Sequence, residues 1–156
     1  MKKDTSAQNN FKIRFTTEYT KKIEFLVQKN KYELAKLGNV APKTEFQLLP
    51  KQTIIGDNEH EVALEVRLKI KLPDSEEEVL NLVLEYCGIF KVEGTASAEV
   101  IDEALLVDAV TLLFPFFRQE VARVTLSSGY APIMLEPMDF RNLYIQYKTK
   151  AQGQVV

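Results

Sequence analysis

The chain has one cysteine and one histidine in 156 residues. A single cysteine, Cys87, excludes an internal disulfide framework and suits a reducing cytoplasm. One imidazole and one thiol cannot make a metal centre of ordinary ligand spacing, so no metal and no other cofactor is expected. His60 lies between Glu59 and Glu61. With no orienting partner or nucleophile beside it, it reads as a solvated strand end rather than a catalytic base. Cys87 has no neighbouring basic group to lower its pKa, so it reads as packing. No glycine pattern that cradles phosphate is present. No apolar run approaches the roughly 20 residues that cross a membrane, which argues against direct membrane insertion. MKKDTSAQNN has no apolar run behind its charged start, so it reads as neither signal peptide nor anchor. Neither sign of charge is in excess: 20 basic against 22 acidic residues, net −2, gives no field for nucleic acid or for a polybasic partner.

What is present fits one folded unit. A 46% hydrophobic content in a chain of this length supports a sizeable core. Residues 1–10 are polar and read as a disordered tail, 11–150 as the domain and 151–156 as a second flexible tail. From Phe11 to Val27 the odd positions are mainly apolar and the even ones mainly Lys, Arg, Thr and Glu, a long strand with one apolar face. Lys29 to Pro42 loses the alternation and reads as a loop with a helical turn near Tyr32. Thr44 to Leu48 is a short strand, Gly56-Asp57-Asn58 a turn, and Val62 to Leu72 the cleanest alternation in the chain. After Pro73-Asp74-Ser75, Val79 to Glu93 is a fourth strand. It is apolar on both faces near Val83, so its second face should also be covered, a second subunit being one cover. Glu76, Glu77 and Glu78 read as a solvated turn guarding that strand.

After Gly94 the period lengthens towards 3.6, through Ile101, Leu105, Ala109, Leu112 and Leu113. Pro115 should kink or restart this helix. Ser127-Ser128-Gly129 is a stop, and Asp139 caps a last helix with a stripe of Phe140, Leu143, Tyr144 and Tyr147. Strands first and helices last mean α+β, with the helices on one face of an antiparallel sheet. Between the helices runs an apolar loop bracketed by Pro132 and Pro137, where a loop should be polar. Little from Leu112 to Tyr144 suits bond chemistry, which points to contact rather than catalysis: no catalytic residue is assigned and no enzyme is expected.

Several segments together resemble SecB, the bacterial export chaperone family. They are Tyr19-Thr20-Lys21-Lys22-Ile23-Glu24-Phe25, Tyr86-Cys87-Gly88-Ile89-Phe90, Leu113-Phe114-Pro115-Phe116-Phe117-Arg118, and Gly129 to Phe140 with Leu143-Tyr144. They occur in order from about Phe11 to Tyr147. The resemblance implies a four-stranded antiparallel sheet with two C-terminal helices on one face, in a subunit that pairs into dimers, and dimers into a homotetramer through the long helix. It implies a cytoplasmic holdase that uses no ATP, keeps unfolded precursor proteins export-competent in apolar grooves and passes them to the SecA motor. On that likeness Thr44, Phe46 and Leu48 line one groove wall. Ile133, Met134, Leu135, Met138, Phe140, Leu143 and Tyr144 line another, the methionines suiting varied clients. Where the family carries carboxylates that dock SecA, this chain has Lys22 and Leu26. Glu24 replaces a serine, and Val83 stands at an assisting acidic position. A lysine there repels a basic tail.

Phe117, Arg118, Glu120 and Arg123 share a helical neighbourhood that reads either as a self-paired solvated face or as a contact between subunits. An alternative client is a single protein such as an antitoxin, served without standard SecA docking. A third reading, a small-molecule or thioester-cleaving domain, would use Asp102, Glu103 or Asp108 at the helix start, none of which has a histidine partner in the sequence.

Overall fold

In the computed structural model, residues 10–153 are described, apart from 37, 39 and 40. The expected tails at 1–9 and 154–156 lie outside the described residues. Four strands, β1 (Phe11–Val27), β2 (Lys43–Gly56), β3 (Glu59–Lys71) and β4 (Glu78–Gly94), form one antiparallel sheet in the order β1-β4-β3-β2. Between β1 and β2 lies α1 (Lys31–Ala35), closed by a capping box of Asn30 and Glu33. After the sheet come α2 (Ala98–Glu103), a π-helical turn (Ala104–Ala109), α3 (Val110–Ser127) and α4 (Phe140–Gly153).

Alternation in the strands sorts the sheet into two faces. One carries Val62, Leu64, Val66 and Leu68 of β3 and Leu80, Leu82, Leu84 and Phe90 of β4. These pack with Leu105, Val110, Leu113, Phe117 and Val121 into a single apolar core. Gly88 sits at the closest approach: a methyl group there would lie 2.6 Å from Leu113 Cδ2. Glycine is what lets α3 settle onto the centre of β4. Gly94, at φ +88°, makes the bend that ends the sheet.

Several expectations are corrected. β1 spans the expected residues, but register shifts at Phe15/Thr17 and Thr20/Lys22 turn its side chains over. Tyr19 thereby leaves the core face for the opposite one. β2 is far longer than Thr44–Leu48, because an edge strand tolerates Pro50 and is paired on one side only. His60 is buried, as the second residue of β3, with Nδ1 3.1 Å from Gln52 Oε1, and burial pushes its pKa down. Pro115 neither breaks nor restarts the helix: α3 runs through it, held by buried Leu113, Phe114 and Phe117 on either side. The departure from α geometry falls upstream, at Ala104–Ala109. α4 continues to Gly153, so 151–153 are helical.

The second face of the sheet is covered around Cys87 by the subunit's own polar side chains, whereas near Val83, where a cover was expected, it stays half-buried with Leu26 exposed beside it. Tyr19 and Lys21 both donate to Glu61, Lys51 pairs with buried Glu85 at 3.0 Å, and Arg67 pairs with Glu65. Beneath them Cys87 is fully buried, its thiol pushed up to about 11 by desolvation. Each acid of the Glu76–Glu78 run meets a lysine: Lys71, Lys29 and Lys69 respectively.

Candidate functional site

The floor of the candidate site is laid by α3. Thr125 is fully buried, yet its hydroxyl donates to Val121 O and accepts from Ile133 N–H at 2.9 Å. That bond ties the loop after Gly129 to the helix. Phe140 packs edge-on against Phe114, ring centroids 5.3 Å apart, and fixes the start of α4. Asp139 caps that helix, accepting from Asn142 N–H at 3.0 Å. Tyr130 reaches back to donate to Lys29 O at 2.6 Å. The loop is thus pinned at Tyr130, Ile133, Leu135 and Phe140, while Met134 between them stays 56% exposed.

Pinned this way, the loop stands off the edge of the sheet and leaves a trough. Three depressions follow one another. The first, about 310 Å³, lies among Leu34, Ile70, Leu72, Val79, Tyr130 and Ile133. The second, about 670 Å³, runs between Thr44 and Phe46 on β2 and Ile133 to Leu143 opposite. The third, about 580 Å³, lies between Leu48–Gln52 and the face of α4 bearing Leu143, Tyr144 and Tyr147. Ile133 borders the first two and Leu143 the last two, so the apolar lining is continuous.

Of the expected groove residues, the structure brings Thr44, Phe46, Ile133, Met134, Met138 and Leu143 around the middle depression. Leu48 and Tyr144 fall in the third. Leu135 and Phe140 reach the trough only as floor, being 8% and 3% exposed. Tyr130, Leu34, Ile70 and Leu106 line it without having been singled out. Tyr130 sat inside a quoted motif; the other three join only through tertiary packing.

The four departing positions, Lys22, Glu24, Leu26 and Val83, gather on the opposite, helix-free face. The register sets Glu24 across from Val83, with Lys22 and Leu26 two residues to either side. Lys22 pairs with Glu24 at 3.1 Å, and Leu26 is 57% exposed. The proposed interface set needs a correction. Phe117 is fully buried in its own subunit's core and offers nothing outward; Phe116 takes the outward place. Glu120 and Arg123 bind each other through two hydrogen bonds, 2.9 and 2.6 Å, which hold the carboxyl below its usual range. Arg118 is half-buried.

Asp102, Glu103 and Asp108 are engaged in docking α4. Asp102 accepts from Gln52 and Tyr144, each at 3.2 Å, and lies 3.4 Å from Lys148. Arg141 bridges Glu103 at 2.5 Å and Asp108 at 3.8 Å. Among the described residues no cluster of three or more potential metal ligands occurs, and no helix is long and apolar enough to cross a membrane.

The family model described as preprotein translocase subunit SecB matches residues 4–151. The chain is 31% identical over 134 residues to a protein-export protein SecB of Anaplasma marginale, covering 85% of this chain and 74% of that one. It is 35% identical over 117 residues to the protein of that name from Desulfotalea psychrophila, covering 75% and 74%. Among solved structures it is similar to the Mycobacterium tuberculosis Rv1957 SecB-like chaperone in complex with a ChAD peptide from the HigA1 antitoxin. There the TM-score is 0.65 at 14% identity, over 81% of this chain and 90% of that one.

Proposed function

The chain belongs to the SecB family, and on that premise we propose that it is an ATP-independent cytoplasmic holdase, keeping unfolded precursor proteins fit for export by seating them in the trough. The observation that carries this is an apolar channel continuous from Tyr130 to Tyr147 and open to water. A subunit with an ordinary surface would leave no such run exposed. Folded proteins bury the segments that would fill it, so selectivity for unfolded chains needs no sequence code. Thr44, Phe46, Leu48, Ile133, Met134, Met138, Leu143 and Tyr144 make the client surface, with Leu135 and Phe140 supporting it from below.

A dimer of dimers is the assembly that fits. β1 is an outer strand with a free edge. On α3 the outward residues Leu112, Phe116, Gln119, Arg123 and Leu126 recur at intervals of four and three. The three apolar ones are 49%, 42% and 56% exposed. Such a stripe suits helix-to-helix packing between subunits, and four troughs on one particle would hold a long client by multivalency.

A second reading has one specific observation behind it. The helix-free face presents a Lys22–Glu24 pair and bare Leu26 where the family pattern has carboxylates for SecA. A dedicated client, such as an antitoxin of the kind whose peptide is in complex with the mycobacterial protein of like fold, would leave that dock unneeded. Suppression of aggregation of a reduced, unfolded precursor, with native mass measured in the same mixture, tests the first reading; four subunits holding one client is expected. Absence of both suppression and a complex would end it. Capture by the isolated SecA tail separates general from dedicated service.

A further inference from the structure

The three depressions differ in charge. Among the described residues, no acidic or basic side chain borders the first. Glu136 and Asp139 border the middle one, with no Lys or Arg in its lining. The third is bordered by Lys51, Lys148 and Lys150 against a single acid, Asp102. That acid is already engaged: it accepts from Gln52 and Tyr144 and lies 3.4 Å from Lys148. Lys51 is committed to Glu85 at 3.0 Å, on the helix-free face. α4 supplies the other two lysines and holds no Asp or Glu from Phe140 to Gly153. Among the described residues its ion pairs are made by Arg141 and Lys148, and Lys150 meets no carboxylate.

This positive charge stands beside hydrocarbon. Leu106, Phe140 and Leu143 share the third depression with the lysines. Low-dielectric walls focus the field of a charge instead of letting water spread it, so a carboxylate brought there gains more than it would on open surface. Lys148 is also held in position, its ammonium 5.3 Å from the ring centroid of Tyr144 and 3.4 Å from Asp102. Building on the holdase reading, we infer that the third depression selects clients by charge: a segment with Asp or Glu just beyond its apolar run is preferred to one with Lys or Arg there. Lys148 and Lys150 meet the carboxylate, while Tyr144 and Tyr147 take the apolar part. Glu136 and Asp139 repel the same acid from the middle depression, which leaves it one place along the trough.

The test uses the whole protein and three fluorescent peptides of about nine residues, about 30 Å when extended. All share one core of leucine and serine and end in two glutamates, two lysines or two glutamines. The chain's net charge of −2 favours the lysine peptide at long range, so a preference for acid has to arise locally. The glutamate peptide should bind about threefold to tenfold more tightly than the lysine peptide at low salt, exposed ion pairs being individually weak. In about 1 M salt the ratio should fall towards one. Lys150→Gln, which breaks no ion pair of the fold, should lower the ratio at least about twofold, and adding Lys148→Gln should bring it to one or below. Each ratio is taken within one variant, so a general loss of affinity cancels. Equal binding of the two charged peptides, or a ratio that survives both substitutions, overturns charge selection and leaves the holdase reading intact. If none of the three peptides binds, charge selection falls, and if aggregation suppression is absent as well, the holdase reading falls with it.

Discussion

Replacing Gly88 with alanine puts a methyl group 2.6 and 3.1 Å from the two terminal carbons of Leu113 and 2.9 Å from Phe90 Cε2. Carbon atoms in contact prefer roughly 3.5–4.0 Å, so α3 must lift by about 1 Å or Leu113 must leave its rotamer. Overpacking of this kind costs about 1–3 kcal/mol. Leu113 is fully buried, and Leu113→Ala alone should cost about 2–5 kcal/mol as a cavity. Two of the three close contacts come from Leu113, so the second substitution empties the space that the first one needs. The double variant should therefore be more stable than the sum of the singles by about 1 kcal/mol or more, the Phe90 contact remaining. Urea unfolding followed by circular dichroism, at one protein concentration so that assembly is held constant, measures all four corners of the cycle. Additivity within about 0.5 kcal/mol would refute the claim that this contact sets the height of α3, and with it the floor of the trough.

Ile133→Asp with Met134→Asp should abolish most aggregation suppression while leaving far-UV circular dichroism unchanged, because Met134 is exposed and Ile133 half-buried; undiminished suppression would remove the loop from the site. If α3 packs against a second subunit, Leu112→Asp with Phe116→Asp should lower the native mass by charging its outward stripe, and an unchanged native mass would remove that stripe from any interface. His60 has a lowered pKa in the fold, so the unfolded chain takes up the proton first as pH falls. Its contribution is full above about pH 6.5 and is lost below it. His60→Gln should flatten the fall in urea midpoint between about pH 7 and pH 5, and an unaltered slope would mean that other groups carry it. Cys87 should resist alkylation in the folded protein and react once unfolded, since the thiol is fully buried and pushed up to about 11; rapid native labelling would show that its polar cover opens.

The strands and the order of elements were legible because alternation and helical period are local properties of the chain. Leu64 and Leu68 announce a core face, Gly129 a helix end, and Asp139 a cap, each through its immediate neighbours. The motif from Gly129 to Phe140 likewise marked the loop that borders the trough. What escaped the sequence were relations between distant segments. The alternation from Phe11 to Val27 gave no hint that two register shifts would turn Tyr19 towards Glu61 and Cys87. Pro115 signals a break by itself, yet three buried neighbours hold the helix through it. Phe116 and Phe117 are equivalent as letters, and only the docking of α3 sends one outward and one into the core. The sequence by itself determined a sheet, a long helix and an apolar loop, because propensity and period act over a few residues. Tertiary structure decided that the loop would stand away from the β2 edge and leave a trough, because a hydroxyl at Thr125 and a ring at Phe114 hold partners from elsewhere in the chain.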